Sequence, residues 1–222
     1  ESWPRNRSEL EEWALSRVKA HFDYCWQNAI SDWESSPNRI GKSEDIETEE
    51  GIQMIQAGIK LHLDQVELCL NQQGGPFLES WRSGQYRPEW PSPDGFPKEW
   101  ESPHPCAQKS GAPISWVEAW ELSRPWFVDP DASSFSETTC HPDDWFQGEY
   151  DLVYRWNGKI RIIDLKASVG RGDRSGGYIE QLRFYSWLWW ETHSRNNEVE
   201  GLEIWYLGPG TIKQVPLSLI HI

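Results

Sequence analysis

The stretch Gly148-Glu149-Tyr150-Asp151-Leu152-Val153-Tyr154-Arg155-Trp156-Asn157-Gly158-Lys159-Ile160-Arg161-Ile162-Ile163-Asp164-Leu165-Lys166 decides the fold. Asn-Gly supplies two residues that accept positive φ, as a two-residue hairpin turn requires. With Asn157 and Gly158 as the loop, Trp156 faces Lys159, and counting back along both strands sets Asp151 opposite Asp164. Directly opposed Cβ atoms lie about 5 Å apart. Two carboxylates that close repel unless one is protonated or a cation lies between them, and a hard divalent ion with oxygen ligands is a natural solution. Lys166 follows Asp164 by two residues, so strand alternation puts it on the same face. Ile160 and Ile162 share that face while Ile163 and Leu165 take the other, so the strand is expected to be buried on both sides. Charges in such a strand are costly without a purpose. A bare Asp-x-Lys also reads as a structural ion pair at a strand end; the opposing Asp151 favours a metal site.

Beyond the hairpin, Gly170 opens a glycine-rich loop, 178–191 reads as a helix, and 201–207 and 212–217 read as strands around Gly208-Pro209-Gly210. Gln181 and Tyr185 are four apart on one helical face, where an amide and a phenol could hold a substrate backbone or orient Lys166. Ordinary helix packing is their alternative. Arg171 and Arg174 in the loop, and Arg183 in the helix, are candidate nucleic-acid contacts, because a guanidinium matches phosphate geometry bidentately. A solvated loop is the plainer reading of the first two.

Before the hairpin, Ser8-x-x-Glu11 has the pattern of a capping box and opens a helix over 8–33. A polar, acidic stretch follows at 41–50. Apolar residues at Ile52, Ile55, Ile59, Leu63, Val66 and Leu70, spaced by three or four, predict a second helix. Between 71 and 140 lie ten of the fifteen prolines and six of the sixteen tryptophans. Proline fixes φ and removes a donor, which excludes one long helix or a central strand there. Only 114–122 looks regular, as a short strand or a turn of helix. The remainder is expected to be an ordered loop pinned by tryptophan, too aromatic for a disordered linker. Most tryptophans, including Trp187, Trp189 and Trp190, are read as core or partner surface. Trp81, Trp90 and Trp100, which sit among prolines, are the candidates for substrate or partner contact.

With 222 residues and 37% apolar content, the chain fits a single domain over 1–222. Its parts are a helical 1–70, the Trp/Pro-rich loop segment 71–140, and a hairpin, helix and C-terminal strands over 141–222. The sequence lacks the roughly eighteen uninterrupted apolar residues of a membrane helix, and the start, Glu1-Ser2-Trp3-Pro4, lacks the basic-then-apolar pattern of a secretory leader. The expected protein is soluble and cytoplasmic, with no membrane association. An opening at Glu1 rather than methionine fits a piece of something longer. Cys25, Cys69, Cys106 and Cys140 form no C-x-x-C pair, which points to buried free thiols rather than zinc or disulfides. The net charge of −14 argues against a surface that grips nucleic acid all over. Within 150–190, however, seven basic residues meet four acidic ones, a local basic strip on an acidic body.

The order of motifs resembles the RecB-like branch of the PD-(D/E)xK nucleases. Gly58-Ile59-Lys60-Leu61-His62 is similar to that family's G-x-x-x-H, Gly148-Glu149-Tyr150-Asp151 to its G-x-x-D, and Ile162-Ile163-Asp164-Leu165-Lys166 to its hydrophobic D-x-K strand. Gln181-Leu182-Arg183-Phe184-Tyr185 is similar to its Q-x-x-x-Y. The resemblance implies an α/β fold of the restriction-endonuclease-like kind, a mixed central sheet flanked by helices, here with the Trp/Pro-rich segment as a loop insertion. It implies one or two Mg²⁺ or Mn²⁺ ions bound by Asp151, Asp164, the Leu165 carbonyl and His62, with Lys166 orienting or helping to deprotonate the attacking water. An imidazole suits Mn²⁺ better than Mg²⁺, and His62 also reads as a core histidine on an apolar helix face. Two departures bear on this. No cysteine follows Cys140, so no iron–sulfur cluster is expected, and the glutamate many members carry after the histidine is displaced to the neighbourhood of Asp64 and Glu67.

The function expected from these features is a metal-dependent deoxyribonuclease acting on single-stranded DNA or duplex ends, within a larger DNA-processing, repair or defence assembly. A protein partner or further domain would supply the DNA affinity that an acidic body lacks. From a different class comes a catalytically silent, Trp-rich binding module on the same fold. A carbohydrate-binding domain, suggested by aromatic content alone, leaves the hairpin unexplained.

Overall fold

The computed structural model describes residues 3–37, 47–85, 103–123, 125–126, 139–140, 147–156, 159–167, 175–193 and 199–217. In chain order the helices α1 (Arg7–Ser35), α2 (Thr48–Asn71), α3 (Leu78–Arg82) and α4 (Trp116–Leu122) come first, with a 3-10 turn at Gly75–Phe77. The strands β1 (Pro125–Trp126), β2 (Thr139–Cys140), β3 (Gln147–Gly148), β4 (Leu152–Trp156) and β5 (Lys159–Lys166) follow, then α5 (Ser175–Thr192), β6 (Val199–Tyr206) and β7 (Thr211–Val215).

The main sheet is mixed, in the order β1-β4-β5-β6-β7, and β2 pairs with β3 in a small second sheet. β5 lies antiparallel to β4 and parallel to β6. A parallel neighbour requires a crossover, and α5 supplies it. The expected α/β class, with a mixed central sheet flanked by helices, is what the structure shows.

Strand alternation divides the core. Ile160 and Ile162 point with Val153, Leu202 and Ile204 toward α5, meeting Leu182 and Trp189. Ile163 points the other way with Leu152, Tyr154 and Trp205, where Leu61 of α2 covers it. A third apolar cluster joins Leu10 of α1, Leu63 and Val66 of α2, Trp81 of α3 and Val117 of α4. At its edge the buried Arg82 donates from Nε and Nη2 to the Glu118 carboxylate at 2.8 and 3.0 Å.

Several expectations shift. α1 is capped by Asn6, whose side chain accepts from the Glu9 amide, one turn-fraction ahead of the expected Ser8. Asn6-x-x-Glu9 is an equally good capping pattern, and Glu9 also accepts from the Arg5 amide at 2.8 Å. The 114–122 segment resolves as helix because Ser115 and Glu118 form a reciprocal capping box. Trp81 is buried against His104, not available to a substrate; α3 folds back and turns the indole inward. Trp90 and Trp100 lie outside the described residues. Cys69 and Cys106 are buried free thiols, whereas Cys25 is free but exposed. Among the described residues no helix is long and apolar enough to cross a membrane.

Candidate active site

The β4–β5 register runs from Trp156↔Lys159 to Leu152↔Ile163, as the Asn157-Gly158 turn requires, although the turn itself lies outside the described residues. Asp151 comes immediately after the last rung on β4, at the position that would continue the ladder opposite Asp164. Instead of continuing it, the exposed Asp151 carboxylate accepts the Leu165 amide through Oδ2 at 2.7 Å. The side chain takes the place of a backbone partner where β4 bends away. An extended residue sends its N–H and C=O to the same edge, so the Leu165 carbonyl is turned to the side from which Asp151 approaches.

Asp164 is buried, with 3% of its surface exposed. It pairs with Ile204 of β6 and therefore faces α5. Lys166 Nζ donates to Oδ1 at 2.8 Å and lies 2.7 Å from Oδ2 without hydrogen-bond geometry. Oδ2 is thus a buried acceptor that receives ionic contact but no hydrogen bond. Burial raises the Asp164 carboxyl above its ordinary value; the Lys166 bond and charge pull it down, the Asp151 charge pushes it up, and the net shift is upward. A divalent cation would relieve both the burial and the Asp151 repulsion. The donor set fits such an ion: carboxylate oxygens of Asp151 and Asp164, with the Leu165 carbonyl, are hard ligands. Among the described residues no three His, Cys, Asp or Glu side chains converge as a preformed cluster, so the carbonyl is needed to complete the protein's share.

His62 does not join them. Its Nδ1 lies 2.7 Å from the Tyr154 hydroxyl, and its ring meets Trp120 edge-on with centroids 4.6 Å apart. Tyr154 pairs with Arg161 and packs on the α2 side of the sheet, whereas Asp164 faces α5. The described contacts of His62 thus lie on the α2 face of the sheet, opposite the face that carries Asp164, and lend its reading as a metal ligand no support. The polar pair His62–Tyr154 lies beside a network in which Glu203 accepts from Arg161, Trp205 and Gln214, with the Arg161 guanidinium 5.4 Å from the Tyr154 ring centre.

Gln181 and Tyr185 share a face of α5, and Gln181 Nε2 donates to the Tyr185 hydroxyl at 2.9 Å. Tyr185 crosses Tyr150 at 81° and packs on Gly148, where an added Cβ would lie 2.8 Å from the Tyr185 ring. The glycine of G-x-x-D is thus the floor on which the tyrosine of Q-x-x-x-Y rests. Arg183 donates to Glu180 at 2.9 Å, and Arg161 to Glu203. The Arg183–Glu180 pair is an exposed one within a single helix turn, whereas the Arg161–Glu203 pair is largely buried. Arg171 and Arg174 lie outside the described residues. Tyr178, which the sequence reading did not single out, sits 4.4 Å below the Lys166 ammonium. Its spacing of three before Gln181 and seven before Tyr185 was the available signal.

Residues 112–219 match the family model of the PD-(D/E)XK nuclease superfamily. The matched span contains Asp151, Asp164, Lys166, Gln181 and Tyr185 and leaves His62 outside. No curated protein matches the chain, and no solved structure does.

Proposed function

From the match of residues 112–219 to the PD-(D/E)XK nuclease superfamily we propose that the chain is a divalent-metal-dependent deoxyribonuclease of the RecB-like kind. The observation that carries the proposal is the buried Asp164 carboxylate, whose Oδ2 accepts no hydrogen bond while Asp151 and Lys166 crowd around it. Asp151, Asp164 and the Leu165 carbonyl would hold Mg²⁺ or Mn²⁺, which supplies charge at the scissile phosphate and at the leaving oxygen. Lys166 presents a positive charge beside the carboxylates, where it orients the attacking water and offsets charge on the phosphate. Water oxygen bonds to phosphorus as the bond to the leaving oxygen breaks; the attacking water gives up a proton to solvent at the strand end, and the leaving oxygen takes one up from solvent to depart as the alcohol. Gln181 and Tyr185, already bonded to each other, form one polar edge for the substrate backbone.

The whole chain serves as one domain in this reading, since Leu61 of α2 covers the sheet on the side opposite α5. A net charge of −14, together with the commitment of Arg161 to the buried Glu203, supports a protein partner or further domain that brings DNA affinity. A DNA-processing, repair or defence assembly in the cytoplasm is the proposed setting. One observation favours a second reading: Lys166 already neutralises Asp164, as a silent binding module on the same fold could do without metal.

Incubating the protein with end-labelled single- and double-stranded DNA, and with RNA, in Mg²⁺, Mn²⁺ or EDTA separates the readings. Metal-dependent DNA cleavage, absent in Asp164→Asn, supports the enzyme. Cleavage that persists in EDTA, or none at high protein concentration, supports the silent module.

A further inference from the structure

Lys166 enters the site from the last residue of β5 on a flexible four-carbon stem with no direction of its own. Something must aim it. Asp164 contributes, but its oxygens are the ones the nuclease reading assigns to a cation, so they cannot alone define where the ammonium rests. The second contact is the ring of Tyr178, with Lys166 Nζ 4.4 Å from its centroid. Tyr178 stands in the first turns of α5, partly buried and packed on the apolar cluster that underlies Asp164, which fixes the ring from behind. The Lys166 side chain is 19% exposed, so the contact is shielded from much of the solvent that would weaken it.

We propose that Tyr178 is a positioning residue of this site: its ring face holds the Lys166 ammonium in place beside the carboxylates. The inference rests on the nuclease reading of the same site. An aromatic face carries partial negative charge and attracts an ammonium within about 6 Å of its centre. Being uncharged, the face leaves the cationic charge of Lys166 intact, which a third carboxylate would not. It also offers a hard divalent ion no oxygen ligand at its centre, so the ring retains Lys166 while Asp164 serves a cation. The phenol oxygen is not required for this role; the ring is.

The test begins on metal-free protein carrying ¹³Cε-labelled lysine, with the Lys166 signal assigned by its disappearance in Lys166→Arg. Ring current from Tyr178 displaces the Lys166 ε-CH₂ protons upfield in the wild type; Tyr178→Leu returns them to the ordinary position and Tyr178→Phe keeps them displaced. In cleavage assays Tyr178→Leu lowers kcat on the order of ten-fold with KM nearly unchanged, and Tyr178→Phe recovers most of the loss. An undisplaced wild-type signal, an unchanged kcat in Tyr178→Leu, or a Phe variant as poor as Leu overturns the proposal. The wild-type spectrum and the Phe variant answer even where the Leu variant does not fold. A wild type that cuts nothing while the displacement and its loss in Tyr178→Leu persist overturns the nuclease reading and leaves the placement of Lys166 by Tyr178 standing.

Discussion

The ring of Tyr185 occupies the space directly above Gly148, close enough that a Cβ there would sit 2.8 Å from Cε1 and 3.1 Å from Leu188 Cδ2. Two motifs distant in the chain are in this way one packing unit, in which a strand glycine seats a helix tyrosine beside Tyr150. Because the obstacle is an aromatic ring anchored in a helix, it cannot swing aside as a flexible chain end would. Gly148→Ala is therefore expected to lose about 1–3 kcal/mol by overpacking, measured by urea denaturation. Adding Tyr185→Ala relieves the clash, so the double variant loses less than the two single losses together.

Lys166 and Asp164 are expected to separate in function. Lys166→Met removes the ammonium but no proposed metal ligand, so it lowers turnover by about 100-fold or more while Mn²⁺ binding persists. Paired cleavage assays and Mn²⁺ titrations check this. Mn²⁺ binding lost along with activity would mean that the lysine builds the site rather than acts in it.

His62 is expected to behave as a structural residue. His62→Ala leaves the buried Tyr154 hydroxyl without its 2.7 Å partner, at a cost of about 1–3 kcal/mol, and Mn²⁺ affinity stays at the wild-type value. Denaturation and calorimetry on the same preparation decide the matter; a clear loss of affinity would return His62 to the ligand set.

The Arg82–Glu118 pair gives a pH signature remote from the site. Burial by itself would raise the Glu118 carboxyl, but bonds from Arg82 and from the Gln108 and Ser115 amides outweigh it and hold the group below its ordinary value. A group depressed in the folded state contributes stability above its unfolded value, about 4.3 for glutamate, and loses it as pH falls through the lower folded value. Glu118→Gln is expected to cost about 1–3 kcal/mol at pH 7, because Arg82 loses its buried counter-charge while keeping the half-exposed Glu79 carboxylate and the Ala112 carbonyl. That difference should narrow on acidification below about pH 4.3, as denaturation curves of the two proteins measured across this range would show.

How much of this was legible follows from what each inference depended on. The hairpin register and the faces of Asp164 and Lys166 were readable, because turn chemistry and strand alternation are local and leave few alternatives. Local rules stop at the end of the ladder, so they did not show that Asp151 bends out and takes the Leu165 amide through its side chain. The cap of α1 went to Asn6 because two capping patterns overlap within two residues and their spacing does not rank them. The surroundings of His62 were not legible for a different reason: a motif names a residue on a helix, but which side of the sheet that helix covers is set by the packing of Leu61 on Ile163 and Trp205. Trp81 likewise reads as loop-borne from its proline-rich surroundings, and only tertiary folding turns it inward against His104. Tyr178 was within reach of helical spacing and was passed over because it belongs to no motif.

The central claim is that Asp151 and Asp164 together hold a divalent ion. Calorimetric titration of Mn²⁺ into the wild type and into Asp151→Asn/Asp164→Asn tests it most directly. The account predicts saturable binding in the wild type that disappears in the double variant while the fold, followed by circular dichroism, is retained. Equal binding by the two proteins, or none by the folded wild type, would contradict it.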